Sequence, residues 1–169
     1  MSEPERTPDG RYLVIEGRRW RASDPAIPET LRIELVAELM AARRAVRDAA
    51  GEDAATAVAR GRVQDAKVAL GERGEPWWEP ASDEGRRERL SAAVRALLRH
   101  RRPESTICPS DAARVSGGAG WRDLMDDARS VAAELAADGL VEVRQQGAAV
   151  DPATATGPLR LARGPAWPG

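Results

Sequence analysis

Side chains that could act as nucleophiles, acid–base catalysts or metal ligands are scarce in this chain of 169 residues. Cys108 is the only cysteine and His100 is the only histidine. A thiol at a helix N-terminus can become reactive, but no base or second cysteine accompanies Cys108, and we expect it to replace a small helix-capping residue. His100 lies beside arginines near a predicted helix end, where a structural or solvated role is expected. One histidine and one cysteine exclude the usual zinc sites.

Enzyme motifs are absent from the sequence. It contains no P-loop, no dinucleotide-binding glycine fingerprint and no HExxH helix. The scattered aspartates and glutamates are interpreted as surface charges. We therefore expect a protein that is not an enzyme and that needs neither a cofactor nor a metal.

Arginine is the side chain whose clustering suggests a function. The 26 basic residues include a single lysine, Lys67, and 27 acidic residues offset them, so the net charge of −1 gives no global signal for nucleic acid. Residues 86–102, however, contain seven arginines and one acidic residue, Glu88. This segment predicts a basic helix that could contact phosphates. The alternative is an arginine face that is solvated or paired with an acidic later helix.

The N-terminal half predicts a β-hairpin followed by two helices. Alternating side chains in Tyr12–Ile15 and Arg18–Ala22 flank the turn residues Glu16-Gly17 and indicate a hairpin. Two apolar stripes of helical period follow, the second over residues 53–73, and a short connection makes their helices antiparallel neighbours. Arginine beside Trp20 would suit stacking on RNA or single strands. We expect instead that Trp20 packs on the helices and that the arginines around it are solvated.

The C-terminal half predicts a winged helix-turn-helix. Proline at 109 suits the first position of a helix, and the Asp111 carboxylate suits its first turn. Gly139 indicates a helix end. The predicted elements are the basic helix ending before Pro103, a short helix ended by Gly117 and Gly118, a third helix over Trp121–Asp138, a strand over 140–144, a wing loop over 145–157 and a return strand over 158–162.

A proline-rich segment with two tryptophans separates the two halves. Trp77 and Trp78 are expected to fold back and pack on one of the modules, because their rings are too apolar for a free linker. The expected fold class is α+β and mainly helical. The predicted division is a disordered tail (1–10), a β-hairpin plus helical-hairpin module (11–74), a tryptophan-containing linker (75–85), a winged-helix domain (86–163) and a tail (164–169).

The third helix of a helix-turn-helix lies in the major groove of DNA. Here that helix carries two arginines against five acidic residues, so phosphates would repel it and the affinity must come from the basic first helix and the wing. If the protein binds DNA, we expect phosphate contacts from Arg95, Arg99 and Arg102. Bases or groove edges would then be contacted by Arg122 and Arg144.

Three C-terminal motifs carry a resemblance to a known family: TICPSDAAR (106–114), WRDLM (121–125) and VDPATATGPLRL (150–161). They resemble the uncharacterised bacterial DUF3253 family. The motifs GRRWRASDPAIPE, AARRAV and VQDAKVALGERGEPWW of the N-terminal half resemble a module that accompanies it in small actinobacterial proteins. The resemblance implies a winged-helix-like fold and no established activity, and it transfers no catalytic residue.

Two functions remain open from the sequence. The protein is expected to be a non-enzymatic binding protein. It is either a winged-helix regulator that contacts DNA as a homodimer or an adaptor whose winged helix binds another protein. A homodimer would double the cationic surface.

No apolar run approaches the roughly 20 residues that span a bilayer, and the N-terminus lacks the features of a signal peptide. A cytoplasmic location without membrane contact is therefore expected.

Overall fold

The structure is a computed structural model that describes residues 2–168. The predicted fold class, α+β and mainly helical with an N-terminal β-hairpin, is confirmed. The helices of the described residues are α1 (Glu29–Asp48), α2 (Asp53–Leu70), α3 (Asp83–His100), α4 (Pro109–Gly117) and α5 (Met125–Ala137). The strands are β1 (Glu5–Arg6), β2 (Tyr12–Ile15), β3 (Arg18–Arg21), β4 (Val141–Gln145), β5 (Ala148–Ala149) and β6 (Arg160–Arg163).

The N-terminal sheet is antiparallel in the order β1-β2-β3. Glu16 and Gly17 connect β2 to β3 with φ angles of 50° and 75°. Positive φ at both turn residues matches the right-handed twist of the strands, so this short turn closes a tight hairpin.

Strand β1 lies within the segment that was expected to be a disordered tail. Glu5 and Arg6 pair with Val14 and Leu13 of β2, so the described part of residues 1–10 contributes an edge strand. The pairing is possible because a turn at Thr7 returns the chain, with the Gly10 N–H donating to the Thr7 carbonyl at 2.8 Å. Met1 lies outside the described residues.

Helices α1 and α2 form the predicted antiparallel hairpin. Leu35 and Leu39 of α1 and Ala66 and Leu70 of α2 are buried on their facing sides. Helix α2 ends three residues earlier than the predicted Arg73, because Gly71 takes a left-handed φ of 79° and the chain turns there.

The tryptophan segment folds back on the N-terminal sheet. The Trp77 Nε1–H donates to the Ala22 carbonyl at 2.9 Å, and the Trp78 ring lies edge-on to Tyr12 of β2 at 5.6 Å. Ser82 then caps α3 by accepting from the Gly85 N–H at 3.0 Å. The segment between α2 and α3 is thus fixed to the sheet rather than free.

The C-terminal half places α3, α4 and α5 beside a second antiparallel sheet in the order β5-β4-β6. Ile107, between α3 and α4, forms an isolated bridge with Leu161 of β6. Cys108 stands at the N-cap of α4, and its N–H donates to the Asp111 carboxylate at 3.0 Å. This local hydrogen bond caps the short helix, which begins at Pro109 as the sequence predicts.

Two elements of this half differ from the sequence prediction. Residues 118–124 form a 3₁₀ turn, so the third helix is α-helical only from Met125. Gly118 has a φ of 52°, and a Cβ there would lie 2.8 Å from Ala26, so close packing against the N-terminal half dictates this backbone. The predicted wing loop contains β5, which pairs with β4 through a tight turn at Gln146-Gly147.

The predicted C-terminal tail docks on the fold. The Gly164 N–H donates to the Leu140 carbonyl and the Ala166 N–H donates to the Gly139 carbonyl, both at 2.9 Å. Trp167 packs against the core. Gly169 lies outside the described residues.

One continuous hydrophobic core runs through both halves. Leu35, Leu70, Leu90, Leu97 and Leu161 belong to the same cluster of buried residues. The predicted division at residues 75–85 marks a change in sequence pattern but no break in this core. Helix α3 packs on α1 and α2 on one side and on α4 and α5 on the other.

Three buried carboxylates, each paired with arginine, reinforce the core. Glu38 of α1 is 1% exposed and pairs with Arg62 of α2 at 2.8 Å. Asp65 of α2 pairs with two arginines of α3. The third carboxylate, Asp24, accepts from Arg89 at 3.0 Å. A buried charge without its partner is strongly destabilising, so these pairs determine how the helices dock.

None of the helices among residues 2–168 is long and apolar enough to cross a membrane. Among residues 2–168, no group of three or more histidines, cysteines, aspartates or glutamates is placed to hold a metal ion.

We expect Arg89→Met to lower the free energy of unfolding by about 3–5 kcal/mol, because Asp24 would remain buried without its cation. Urea unfolding followed by circular dichroism measures this change. Arg44→Met is the control, since Arg44 is exposed and has neither a carboxylate partner nor an aromatic ring beneath it among the described residues, and it should change the value by less than about 0.5 kcal/mol. Equal effects of the two variants would contradict a structural role for the Arg89 pair.

We expect Trp77→Phe to cost about 1–3 kcal/mol, because it leaves the Ala22 carbonyl without its donor. Trp20→Phe is the matched control, since the Trp20 side chain is 44% exposed and its replacement should stay within about 0.5 kcal/mol. Thermal and urea unfolding of the two variants compare the tryptophans directly. A neutral Trp77→Phe variant would show that the linker is not fastened by this bond.

Candidate binding surfaces

The arginines of α3 on which a DNA interface would depend are largely engaged within the fold. Arg95 forms a bidentate pair with the Asp65 carboxylate, donating through Nε at 3.1 Å and through Nη2 at 2.7 Å. Arg99 donates to the same carboxylate. Two of the three arginines predicted to contact phosphates thus face α2 and neutralise a buried aspartate.

Other arginines of α3 pair with the acidic helix α5 and with α1. Arg86 donates to Asp127 at 2.9 Å, and Arg87 donates to Glu134. Arg101 makes a two-pronged pair with Glu34, at 3.0 and 3.1 Å, which raises the pKa of its guanidinium. The alternative named from the sequence, an arginine face paired with the acidic third helix, describes the N-terminal turns of α3.

The remaining predicted contacts differ in their exposure. Arg102 is exposed beyond the end of α3. Arg122 is exposed and lies over the Trp121 ring at 4.5 Å, with Arg114 of α4 over the same ring at 4.7 Å. Arg144 of β4 is paired with Glu142 of its own strand at 2.7 Å. Of the five predicted residues, two are thus paired with Asp65 of α2, one is paired on β4 and two are exposed.

The basic residues of β6 are also occupied. Arg160 donates to the Oγ1 and carbonyl oxygens of Thr106. Arg163 donates to the carbonyls of Leu98, Arg99 and Arg101 at the end of α3. A guanidinium at the C-terminus of a helix satisfies unpaired carbonyls and complements the helix dipole, so β6 fastens α3.

The exposed side of the third helix is acidic. Asp123, Asp126 and Asp138 are exposed and have no cationic partner within the described residues. Glu134 pairs with Arg87 but keeps 65% of its side chain exposed. Arg129 turns toward the loop carbonyls of Ala155 and Gly157. Negative charge therefore dominates this face, which we call the α5 acidic face (Asp123, Asp126, Glu134 and Asp138).

One face of the N-terminal sheet carries an arginine–aromatic cluster. Arg11 and Arg21 lie over the Trp78 ring at 5.0 and 5.6 Å, and Arg19 lies over Tyr12 at 4.5 Å. Arg21 also donates to the Gly74 carbonyl at 2.8 Å. Because guanidinium groups already cover Trp78, this cluster binds the tryptophan segment to the sheet, and the ring is not free to stack on a base.

The opposite face of the sheet lines a groove of about 400 Å³ against α1 and α2. Its apolar wall includes Leu13, Ile15 and Trp20 from the hairpin and Val36 and Met40 from α1. Ile15, Trp20 and Met40 are 45%, 44% and 38% exposed. Trp20 thus faces the helices, as expected, but it covers them only partly. We call this site the hairpin groove.

Lys67 of α2 and Arg43 of α1 add positive charge to the hairpin groove. The Lys67 Nζ lies 5.8 Å from the centre of the Trp20 ring. Burial lowers the pKa of the Lys67 ammonium, and the nearby cations Arg73 and Arg43 lower it further, while Glu72 opposes them. The site combines an apolar wall with two cations.

Sequence reasoning missed this groove. The available signal was the pair Val36 and Met40, which lie beside the apolar stripe of α1 and are only partly buried in the structure. The alternation of β2 and β3 also places Leu13, Ile15 and Trp20 on one face. The side chains of the hairpin and of α1 come together because the hairpin docks on α1, and no local sequence pattern predicts that docking.

Comparison with known proteins assigns the C-terminal part of the chain to a family. Residues 87–164 match the family model DUF3253, a protein of unknown function. No curated protein matches the sequence. The match extends from α3 through β6 and leaves the N-terminal sheet and helical hairpin outside it, so the accompanying N-terminal module stays an expectation. The resemblance noted in the motifs of residues 106–161 is confirmed, because residues 87–164 of the chain match the DUF3253 family model.

Proposed function

We propose that this is a non-enzymatic binding protein whose residues 83–163 form a winged helix-turn-helix. The order of elements supports this: α3, the Ile107 bridge, α4, α5, and a hairpin of β4 and β6. In a winged helix, three helices pack beside a small sheet in this order. The cytoplasmic location stays a prediction from the sequence.

We propose further that the winged helix binds a protein rather than DNA. The observation that carries this proposal is the α5 acidic face, which stands where a recognition helix would enter the major groove. Phosphates repel such a face, and the arginines of α3 that could compensate are paired with Asp65, Asp127, Glu134 and Glu34. A protein partner with a basic surface complements it.

DNA binding stays the second candidate because some cations are free. Arg102, Arg114 and Arg122 are exposed without a carboxylate partner among the described residues. A homodimer would double this number. Winged helices serve both functions, so the fold alone does not decide between them.

A DNA titration separates the two candidates. We expect no saturable change in fluorescence anisotropy when micromolar protein is added to labelled random duplex DNA at low salt. Binding that weakens steeply with added salt would contradict the proposal. In that case Arg102→Ala combined with Arg122→Ala should reduce the salt slope by about two phosphate contacts, whereas Arg95→Ala combined with Arg99→Ala should instead lower stability.

A matched pair of charge variants tests the adaptor function directly. We expect proteins that co-purify with the wild-type chain from its own host to be lost when Asp123, Asp126 and Asp138 are all changed to asparagine, because the basic partner loses its complement. The control changes Asp48→Asn, Glu52→Gln and Asp53→Asn, which are exposed at the tip of the helical hairpin. An identical set of partners with both variants would rule out the α5 acidic face as the interface.

A further inference from the structure

The single lysine of the chain lies in the hairpin groove. All other basic side chains counted at neutral pH are arginine, so a lysine at position 67 places a compact, strongly hydrated point charge where the chain elsewhere uses planar guanidinium groups. Lys67 is half-buried and forms no ion pair among residues 2–168. Its cation is therefore available to an external anion.

The surroundings of Lys67 favour an anion over water. The ammonium faces the Trp20 ring at 5.8 Å, and the same ring has Arg18 at 5.2 Å. Arg43 lines the groove and has no carboxylate partner in the described part of the chain. Two neighbouring cations in a partly desolvated site repel each other, and the repulsion is relieved by a negative charge between them.

Among the described residues, the acidic side chain that lines the groove is Glu72, and it is already engaged. Glu72 accepts a hydrogen bond from the Ser23 hydroxyl at 2.8 Å. This bond ties the Glu72 carboxylate to the segment that precedes α1. The charges on the groove lining are thus Arg21, Arg43 and Lys67 against Glu72, and Arg21 is held by the Gly74 carbonyl. The net charge at the groove is positive.

The shape and lining of the groove restrict the ligand. Its volume of about 400 Å³ falls in the range of small-molecule sites, which are mostly apolar with a few placed polar groups. The apolar wall formed by Ile15, Trp20 and Met40 suits a hydrocarbon or aromatic body. One point charge and one guanidinium suit a single carboxylate rather than a row of phosphates.

We propose that the hairpin groove binds a small amphipathic carboxylate, with its apolar body against Ile15, Trp20 and Met40 and its carboxylate between Lys67 and Arg43. This site is separate from the α5 acidic face and does not depend on the function proposed for it. A ligand there would contact the hairpin and both helices of the helical hairpin at once.

Titration calorimetry with two probes of equal length tests the proposal on the full-length protein. Octanoate carries the carboxylate and octan-1-ol lacks it. We expect octanoate to bind saturably and about tenfold more tightly than octan-1-ol, as one charge-assisted hydrogen bond predicts. Lys67→Met keeps the apolar stem and should remove most of this difference, whereas Lys67→Arg should retain it.

Two controls keep the result specific to the groove. Arg114→Met removes an exposed cation on α4 and should leave octanoate affinity unchanged. In nuclear magnetic resonance spectra of the wild-type protein, octanoate should shift the indole N–H of Trp20 and leave that of Trp121 in place, a measurement that needs no variant to fold. Absence of saturable octanoate binding, equal affinity for the two probes, or a shift at Trp121 instead of Trp20 would overturn the proposal.

Discussion

The contact between Arg89 and Asp24 is the interaction on which the rest of the fold depends. Arg89 of α3 donates to the Asp24 carboxylate and to the carbonyls of Ala69 and Val115. It therefore ties together the loop before α1, the end of α2 and the end of α4 at one buried point. Burial lowers the pKa of this guanidinium and Asp24 opposes that shift, so the cation persists because the carboxylate is beside it. The family domain and the N-terminal half meet around this pair.

The same principle accounts for most of the arginines. Asp65, Glu34, Asp127 and Glu134 each accept from α3, so the helix with the most basic sequence uses its charge for internal docking. Arg163 uses its charge on the last carbonyls of α3. A guanidinium that is paired inside the fold is not available to a polyanion, and the pairing leaves Asp126 and Asp138 exposed without a cationic partner among the described residues.

The N-terminal sheet acquires two different faces from one hairpin. Register places Tyr12 opposite Arg21 and Leu13 opposite Trp20, so neighbouring residues point to opposite sides. One side gathers arginines over Tyr12 and Trp78 and fastens the segment between α2 and α3. The other side leaves Trp20 partly uncovered above α1 and creates the hairpin groove with Lys67. The segment with Trp77 and Trp78 is thus structural, whereas Trp20 of the hairpin borders a groove that is open to a ligand.

The elements whose causes are local can be predicted from the sequence alone. The hairpin turn at Glu16-Gly17, the proline-marked start of α4 and the glycine end of α5 follow from backbone preferences within a few residues, and the family resemblance follows from contiguous motifs. Which arginines are free depends on the docking of distant segments, because the partners of Arg89, Arg95 and Arg101 lie 30 to 67 residues away along the chain. The edge strand at Glu5, the 3₁₀ turn packed against Ala26 and the hairpin groove depend on that docking as well. Each of these arises where distant segments dock, and pairing between distant charges leaves no periodic signal in the sequence.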